Sequence, residues 1–386
     1  MEKRKIITFL LLVFLCACTR DGRDVQPIVF DMSKGNVRIQ SLDVIEKMQL
    51  VQLSSDSVKI GEVDKVLCRD TLLYVLDRYQ QKCVHIFNTR GVYLNTISRM
   101  GHGSGEYVNL TDIFIDEEKQ TLNLLSREDK KILVYDFLGM KLLKEYKLPK
   151  MFFNMVKIDG GYIGSVGNCP EDPHEPYNCW ILDNDLRIKD KCVKIDPLLE
   201  SSFSEEVVPF SVYKHRCDII SEMNYEVFSV EKLYPKLNYE LDFGNQNFPQ
   251  QKKADLYNPQ KIFEIQDKYI TNIYRFQETE KHILVYLVYQ GMRQMFVYDK
   301  IDHTSQLATL DTNREDILIG FGNIVGLDSR HIYTVVDMDL LCRFYQGHDE
   351  HNNYEEMYPR QIEKLRKQIY PPKKDDNPVI LIYTIN

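Results

Sequence analysis

Cationic excess is missing from this chain: 49 Lys and Arg stand against 57 Asp and Glu, a formal charge of −8 at pH 7. That balance argues against a nucleic-acid partner, which calls for a basic face. Long apolar runs are scarce as well. The one near the N-terminus, residues 6–15, is shorter than the about 20 residues a bilayer-spanning helix needs. No stretch before residue 350 sustains a helical period, apart from one short turn over 251–256. Tryptophan occurs once, against 24 Tyr and 18 Phe. The chain has no Gly-x-Ser-x-Gly step of a serine hydrolase. It also has no His-Glu-x-x-His step, which would supply zinc ligands and a general base together.

What is present begins with an export signal. Lys3, Arg4 and Lys5 form a basic region ahead of the apolar run, the order of a cleavable leader. Leu15-Cys16-Ala17-Cys18 resembles a bacterial lipobox, which implies that Cys18 is lipidated and becomes the new N-terminus. The alternatives are an ordinary leader with incidental cysteines, or a buried first strand, for which no turn follows. Thr19 stands where an inner-membrane retention signal places Asp, so the pattern implies the outer membrane. The expected organisation is a leader over 1–17, a lipidated tether over 18–41 and a body over 42–386.

The body repeats itself. Leu73-Tyr74-Val75-Leu76-Asp77-Arg78 and Leu122-Asn123-Leu124-Leu125-Ser126-Arg127 are each followed by a polar turn and a second β-prone run, over 83–88 and 132–136. Gly91 and Gly139 then hold equivalent turn positions, and third runs follow over 93–97 and 142–148. The offset of about 48 residues lies in the range of propeller blades. Short β-rich runs punctuated by turns predict an all-β fold. Fainter copies fit a third blade over 162–166, 179–182 and 189–195, and a fourth over 218–222, 225–230 and 237–243. A clearer fifth spans 270–276, 282–289, 294–298 and 306–310.

The sixth blade has only two local strands, 324–327 and 332–336. The β-prone C-terminal run 379–385 and the unpartnered run 48–53 are expected to complete it, with the N-terminal run outermost. This predicts a six-bladed β-propeller closed in its last blade by both ends of the body. An insertion over 346–377 carries the one expected helix, after Pro359. Ile362, Leu365 and Ile369 fall at helical spacing and are expected to face the ring, as a packed cap in preference to a lid.

The segment Gly101-His102-Gly103-Ser104-Gly105-Glu106-Tyr107, followed by 111–117 and 122–139, resembles an NHL-type propeller repeat. The wider chain resembles the six-bladed propeller lipoproteins of gut-type Gram-negative anaerobes, with Asp376-Asn377-Pro378-Val379 before the last strand as a further landmark. Leu110 stands where NHL repeats usually carry proline. The resemblance implies fold and export, and it assigns no reaction.

Several residue groups invite a chemical reading. Spaced glycines over 101–105 can cradle phosphate only at a helix N-terminus. None is predicted there, so an inter-blade crossover is favoured. His348-Asp349-Glu350-His351, with Glu355 or Glu356, is the tightest set of metal-ligand types, and a solvated loop is favoured. Asp112, Asp116, Glu106 and Arg99 are candidates for a channel site, although nothing in their spacing makes them converge. Asp77 and Asp136 follow strands, where Asp bonds turn amides. Tyr135, Tyr286 and Tyr298 lie inside strand runs and read as core rather than as a sugar-stacking rim. Cys169 and Cys179 flank a loop between neighbouring strands, so a disulfide between them is weighed against buried free thiols.

No cofactor follows from these features. The leading functional reading is an envelope-anchored binding or interaction module for a glycan, a peptide or a partner protein. The alternative is a propeller-type hydrolase or lyase with its site in the central channel.

Overall fold

The structure is a computed structural model that describes residues 25–33, 37–38, 44–201, 208–221, 223–258, 260–309 and 323–386. The leader and Cys18 lie outside the described residues. Three strands precede the first complete blade: β1 Gln26–Val29, β2 Val37–Arg38 and β3 Ile45–Gln52. Blade one comprises β4 Lys65–Arg69, β5 Leu72–Asp77, β6 Cys83–Asn88 and β7 Tyr93–Ile97. Blade two comprises β8 Asp112–Asp116, β9 Thr121–Ser126, β10 Lys131–Asp136 and β11 Leu142–Lys147. Blade three comprises β12 Asn154–Ile158, β13 Gly161–Ser165, β14 Tyr177–Asp183 and β15 Ile188–Lys194. Blade four comprises β16 Phe210–Tyr213, β17 Arg216–Ile219, β18 Glu226–Glu231 and β19 Tyr234–Asp242. Blade five comprises β20 Asn272–Glu278, β21 His282–Tyr289, β22 Met292–Asp299 and β23 Thr304–Thr309.

Blade six is composite, as the unpartnered terminal runs predict. It sets β24 Asn323–Leu327, β25 His331–Val335 and β26 Val379–Ile385 beside β3, in that order. Val51 lies opposite Ile380 and Leu50 opposite Leu381. The strand ahead of blade one and the last strand of the chain are therefore joined by an antiparallel ladder, which closes the ring.

Burial explains why these segments are strands. In β5 and β9 nearly every residue is buried, because a middle strand of a blade is covered on both faces by its neighbours. The outer strand β11 alternates only weakly and is largely exposed. Gly91 and Gly139 both take positive φ, at +81° and +64°. A Cβ on Gly91 would stand 1.9 Å from the Gln52 carbonyl oxygen of blade six, and one on Gly139 would stand 2.7 Å from Ile97 of blade one. The repeated glycine is thus both a turn residue and the point where each blade touches its predecessor.

Two expectations are corrected. The expected tether includes folded chain: β1 and β2 add parallel fifth strands to the outer edges of β19 and β23. Ile28 and Phe30 are buried, and Phe30 stacks on Phe243 at 4.7 Å. The body therefore starts at least as early as Gln26, and not at residue 42. The helical content also exceeds the single expected helix. The 3-10 helix over Gln250–Tyr257 matches the expected short turn and α4 Pro359–Gln368 the expected helix, whereas α1 Ile262–Lys268, α2 Met338–Gln346 and α3 Tyr354–Met357 are additional, the last two packing with α4 in the final insertion.

Helix α2 begins where the Asp337 side chain accepts from Leu340 N and ends at Gly347 in the left-handed region. Its buried Leu341 and Phe344 join Leu365 of α4, Ile369 and Leu381 in one core. The insertion is packed onto blade six as a cap.

Candidate functional site

The inner strands β4, β8, β12, β16, β20 and β24 surround the axis. Asp112 opens β8 and is 1% exposed. Its Oδ1 accepts from Lys65 Nζ at 2.6 Å, and its Oδ2 accepts from Met155 N at 3.0 Å. One carboxylate thus joins the inner strands of blades one, two and three. Asp116 closes the same strand, about 13 Å away at a strand's rise per residue, and meets Lys119 and the Tyr162 hydroxyl. The two channel carboxylates do not converge.

Glu106 and Arg99 are placed elsewhere. Glu106 folds back into its own glycine loop and accepts from Gly103 N at 2.8 Å. A Cβ on Gly101 would lie 2.1 Å from Glu106 Oε2, so the glycine makes room for the carboxylate. Gly105 N donates to Glu145 Oε2. Two amides that a phosphate would need are already engaged by the chain's own anions. Arg99 is exposed, and its backbone pairs with Tyr107.

Asp77 lies at the end of β5 and serves two loops. Its Oδ1 accepts from Gln80 N and Gln81 N, and its Oδ2 from Gly61 N and Glu62 N. Asp136 likewise accepts from Lys141 N. Tyr135 and Tyr286 are buried in the core, and Tyr298 meets His303 at the surface.

In the insertion, His348 and His351 are exposed. Asp349 between them accepts from the Tyr354 hydroxyl and from the His351 and Asn352 amides. These bonds hold its carboxyl down to about 2, the Tyr354 hydroxyl contributing most. Glu355 pairs with Arg366. Among the described residues no set of three or more His, Cys, Asp or Glu side chains is arranged to hold a metal ion.

A buried charge cluster joins blades four and five, and no sequence motif announced it. Glu278, 2% exposed, accepts from Arg216, from Lys300 Nζ at 2.7 Å and from the Tyr239 hydroxyl at 3.1 Å. Asp218 accepts from Arg216 Nε at 2.9 Å and from Ser229. Burial pushes the Asp218 carboxyl above its usual range, against the pull of Arg216. Two acids and two bases balance here, as buried charges require.

One open concavity lies between the outer strands of blades three and four. A cavity of about 550 Å³ runs between β15 and β19, with Val25 at its rim and Tyr177, Phe228, Lys191, Lys194 and Lys236 on its walls. Lys191 pairs with Glu175 at 2.9 Å. Lys194 and Lys236 are exposed and have no ion-pair partner among the described residues. Sequence reasoning missed this groove because its walls belong to two outer strands that only the ring brings side by side.

Cys169 and Cys179 both carry free thiols. The ladder sets Cys179 opposite Ser165 on one side and opposite Cys192 on the other. The Cys192 thiol beside it, together with burial, holds the Cys179 thiol well above its ordinary range.

The family described as Domain of unknown function (DUF4934) matches residues 26–384. Among curated proteins no sequence matches the chain. A Bacteroides fragilis protein named as exported shares the fold with a TM-score of 0.70 at 17% identity, over 94% of this chain and 100% of that one. A member of the duf4221 family from Bacteroides vulgatus superposes with a TM-score of 0.51 at 8% identity, over 89% of this chain and 97% of that one.

Proposed function

We propose that this chain, which belongs to the DUF4934 family, is an envelope-anchored binding module. In this reading Cys18 carries the lipid, the outer membrane holds it, and the propeller presents a groove to an acidic stretch of a glycan, peptide or partner protein. The leader-like N-terminus and the export stated in the name of the Bacteroides fragilis protein support placement outside the cytoplasm. A closed ring of six blades suits a rigid scaffold whose function resides in its surface.

The observation that carries the reading is the contrast between interior and rim. The buried acids Asp112, Asp218 and Glu278 all have cationic partners within the chain, whereas Lys194 and Lys236 face an open groove without one. Exposed cations beside Tyr177 and Phe228 suit an anionic ligand with apolar or ring faces.

The test is a binding series with purified chain and poly-glutamate, an anionic glycan panel and neutral counterparts. Binding of an acidic probe that weakens with salt and is lost in Lys194→Glu/Lys236→Glu is expected. Turnover of a defined substrate, or equal binding by the double variant, would overturn the assignment. For the anchor, labelled fatty acid should enter the wild-type chain and not Cys18→Ser.

A further inference from the structure

Blade three contains a pair of cysteines that its ladder places face to face. Cys179 on β14 is directly opposite Cys192 on β15. Residues directly opposite on an antiparallel ladder have Cα atoms about 4.5–5.5 Å apart, within the about 4.4–6.8 Å a disulfide spans. Both thiols are free, and both pack in one core with Cys217 of β17. Cys179 is fully buried and Cys192 is 6% exposed.

Access is one-sided. The groove between β15 and β19 is lined by Cys192 and not by Cys179. Cys192 is the member of the pair on that wall, and Cys179 is buried beside it on the neighbouring strand. Cys217 belongs to the next blade, where its thiol donates to the Asp218 carbonyl at 3.7 Å. Val193, next to Cys192, is buried with φ +59°, a left-handed conformation that β-branched residues seldom adopt. This places an unusual backbone beside Cys192, and local strain accompanies function in many proteins.

We propose that Cys179 and Cys192 form a dithiol site that exchanges with small external disulfides through the groove. The Cys192 thiolate attacks one sulfur of the external disulfide, whose S–S bond breaks and releases a first thiolate. Cys179 passes its proton to the thiolate released first, attacks the Cys192 sulfur of the mixed disulfide and releases the second thiolate, which takes up a proton from solvent. The protein loses two electrons and two protons, and the reagent becomes two thiols. Oxidation in the cell rests on the export reading above, since an oxidising compartment is required there. The pairing itself does not.

The experiment therefore has two arms. Reduced full-length chain is incubated with oxidised glutathione, trapped with N-ethylmaleimide and digested with trypsin, which cuts between the two cysteines at Arg187, Lys189 and Lys191. A linked peptide pair containing Cys179 and Cys192 is expected, with the link kept in Cys169→Ser and lost in Cys192→Ser. Alkylation of both thiols after exposure, or a Cys192–Cys217 link in place of Cys179–Cys192, would overturn the site. In the second arm the chain is trapped in intact cells. A linked pair there supports both the site and export. A pair that links in vitro but is trapped reduced in cells retains the site and counts against the export reading.

Discussion

Lys65 Nζ lies 2.6 Å from Asp112 Oδ1, so a cation of blade one is tied to a carboxylate that opens blade two. Asp112 is almost wholly buried, while the Lys65 side chain keeps 22% exposure. The acid is the partner that cannot be left alone. Asp112→Ala should cost about 3–5 kcal/mol, the range for breaking a buried pair. Lys65→Met should also destabilise, because it strands the Asp112 charge. The double variant Lys65→Met/Asp112→Ala should lose less than the two single losses combined. Urea unfolding of the four proteins checks this; strict additivity would refute a coupled pair.

Closure of the ring gives a second expectation. Leu381 is 1% exposed, opposite Leu50 of the N-terminal strand and inside the core that includes the insertion helices. Leu381→Ala should cost about 2–5 kcal/mol as a cavity-forming change. Removal of residues 379–386 should abolish cooperative unfolding, since β3 would lose its one ladder partner among the described residues. Thermal melts of both variants are the measurement. A cooperative transition in the truncated chain would contradict closure as the source of stability.

Two glycines with positive φ, Gly244 after β19 and the repeated Gly91, separate two costs. Gly244 has φ +61° and open space where a Cβ would go, so Gly244→Ala should cost only the left-handed term, about 1–2 kcal/mol. Gly91→Ala should cost more, because its Cβ would also meet the Gln52 carbonyl at the joint between blades six and one. Equal losses in chemical denaturation would show that the joint yields freely.

His85 supplies a pH dependence. It is 1% exposed, with Nδ1 2.9 Å from Thr96 Oγ1 and Nε2 3.3 Å from Cys83 Sγ. Burial depresses its folded value below the ordinary 6.5. Between the two values the unfolded chain binds the proton more readily, so the His85 contribution is present above 6.5 and is lost as pH falls toward the folded value. Stability measured from pH 7.5 downward should decline more steeply in the wild-type chain than in His85→Gln. Parallel profiles would remove His85 as the cause.

The six blades, the offset of about 48 residues between the first two and the composite last blade are legible in the sequence for one physical reason. Middle strands such as β5, β9 and β21 are covered on both faces and must be apolar almost throughout, so they stand out against polar turns. The closure is readable because β26 and β3 are β-prone runs without local partners. Inner strands are harder to see. β4, β12 and β16 line the axis, carry residues such as Lys65, Asn154 and Ser211, and look like loops until the ring gives them a second side.

The tertiary structure decided the remainder, because it depends on pairings between distant segments. β1 is a strand only because β19 offers a free edge, and Phe30 is core only because Phe243 waits there. Asp112, Glu106 and Asp349 are ordinary carboxylates in sequence; packing assigns them to Lys65, to a glycine loop and to Tyr354. Cys179 has a near neighbour in sequence at Cys169, yet the ladder gives it Cys192. Local composition can set how a segment folds, whereas the partner of a charge, a thiol or a strand edge is chosen by the ring that surrounds it.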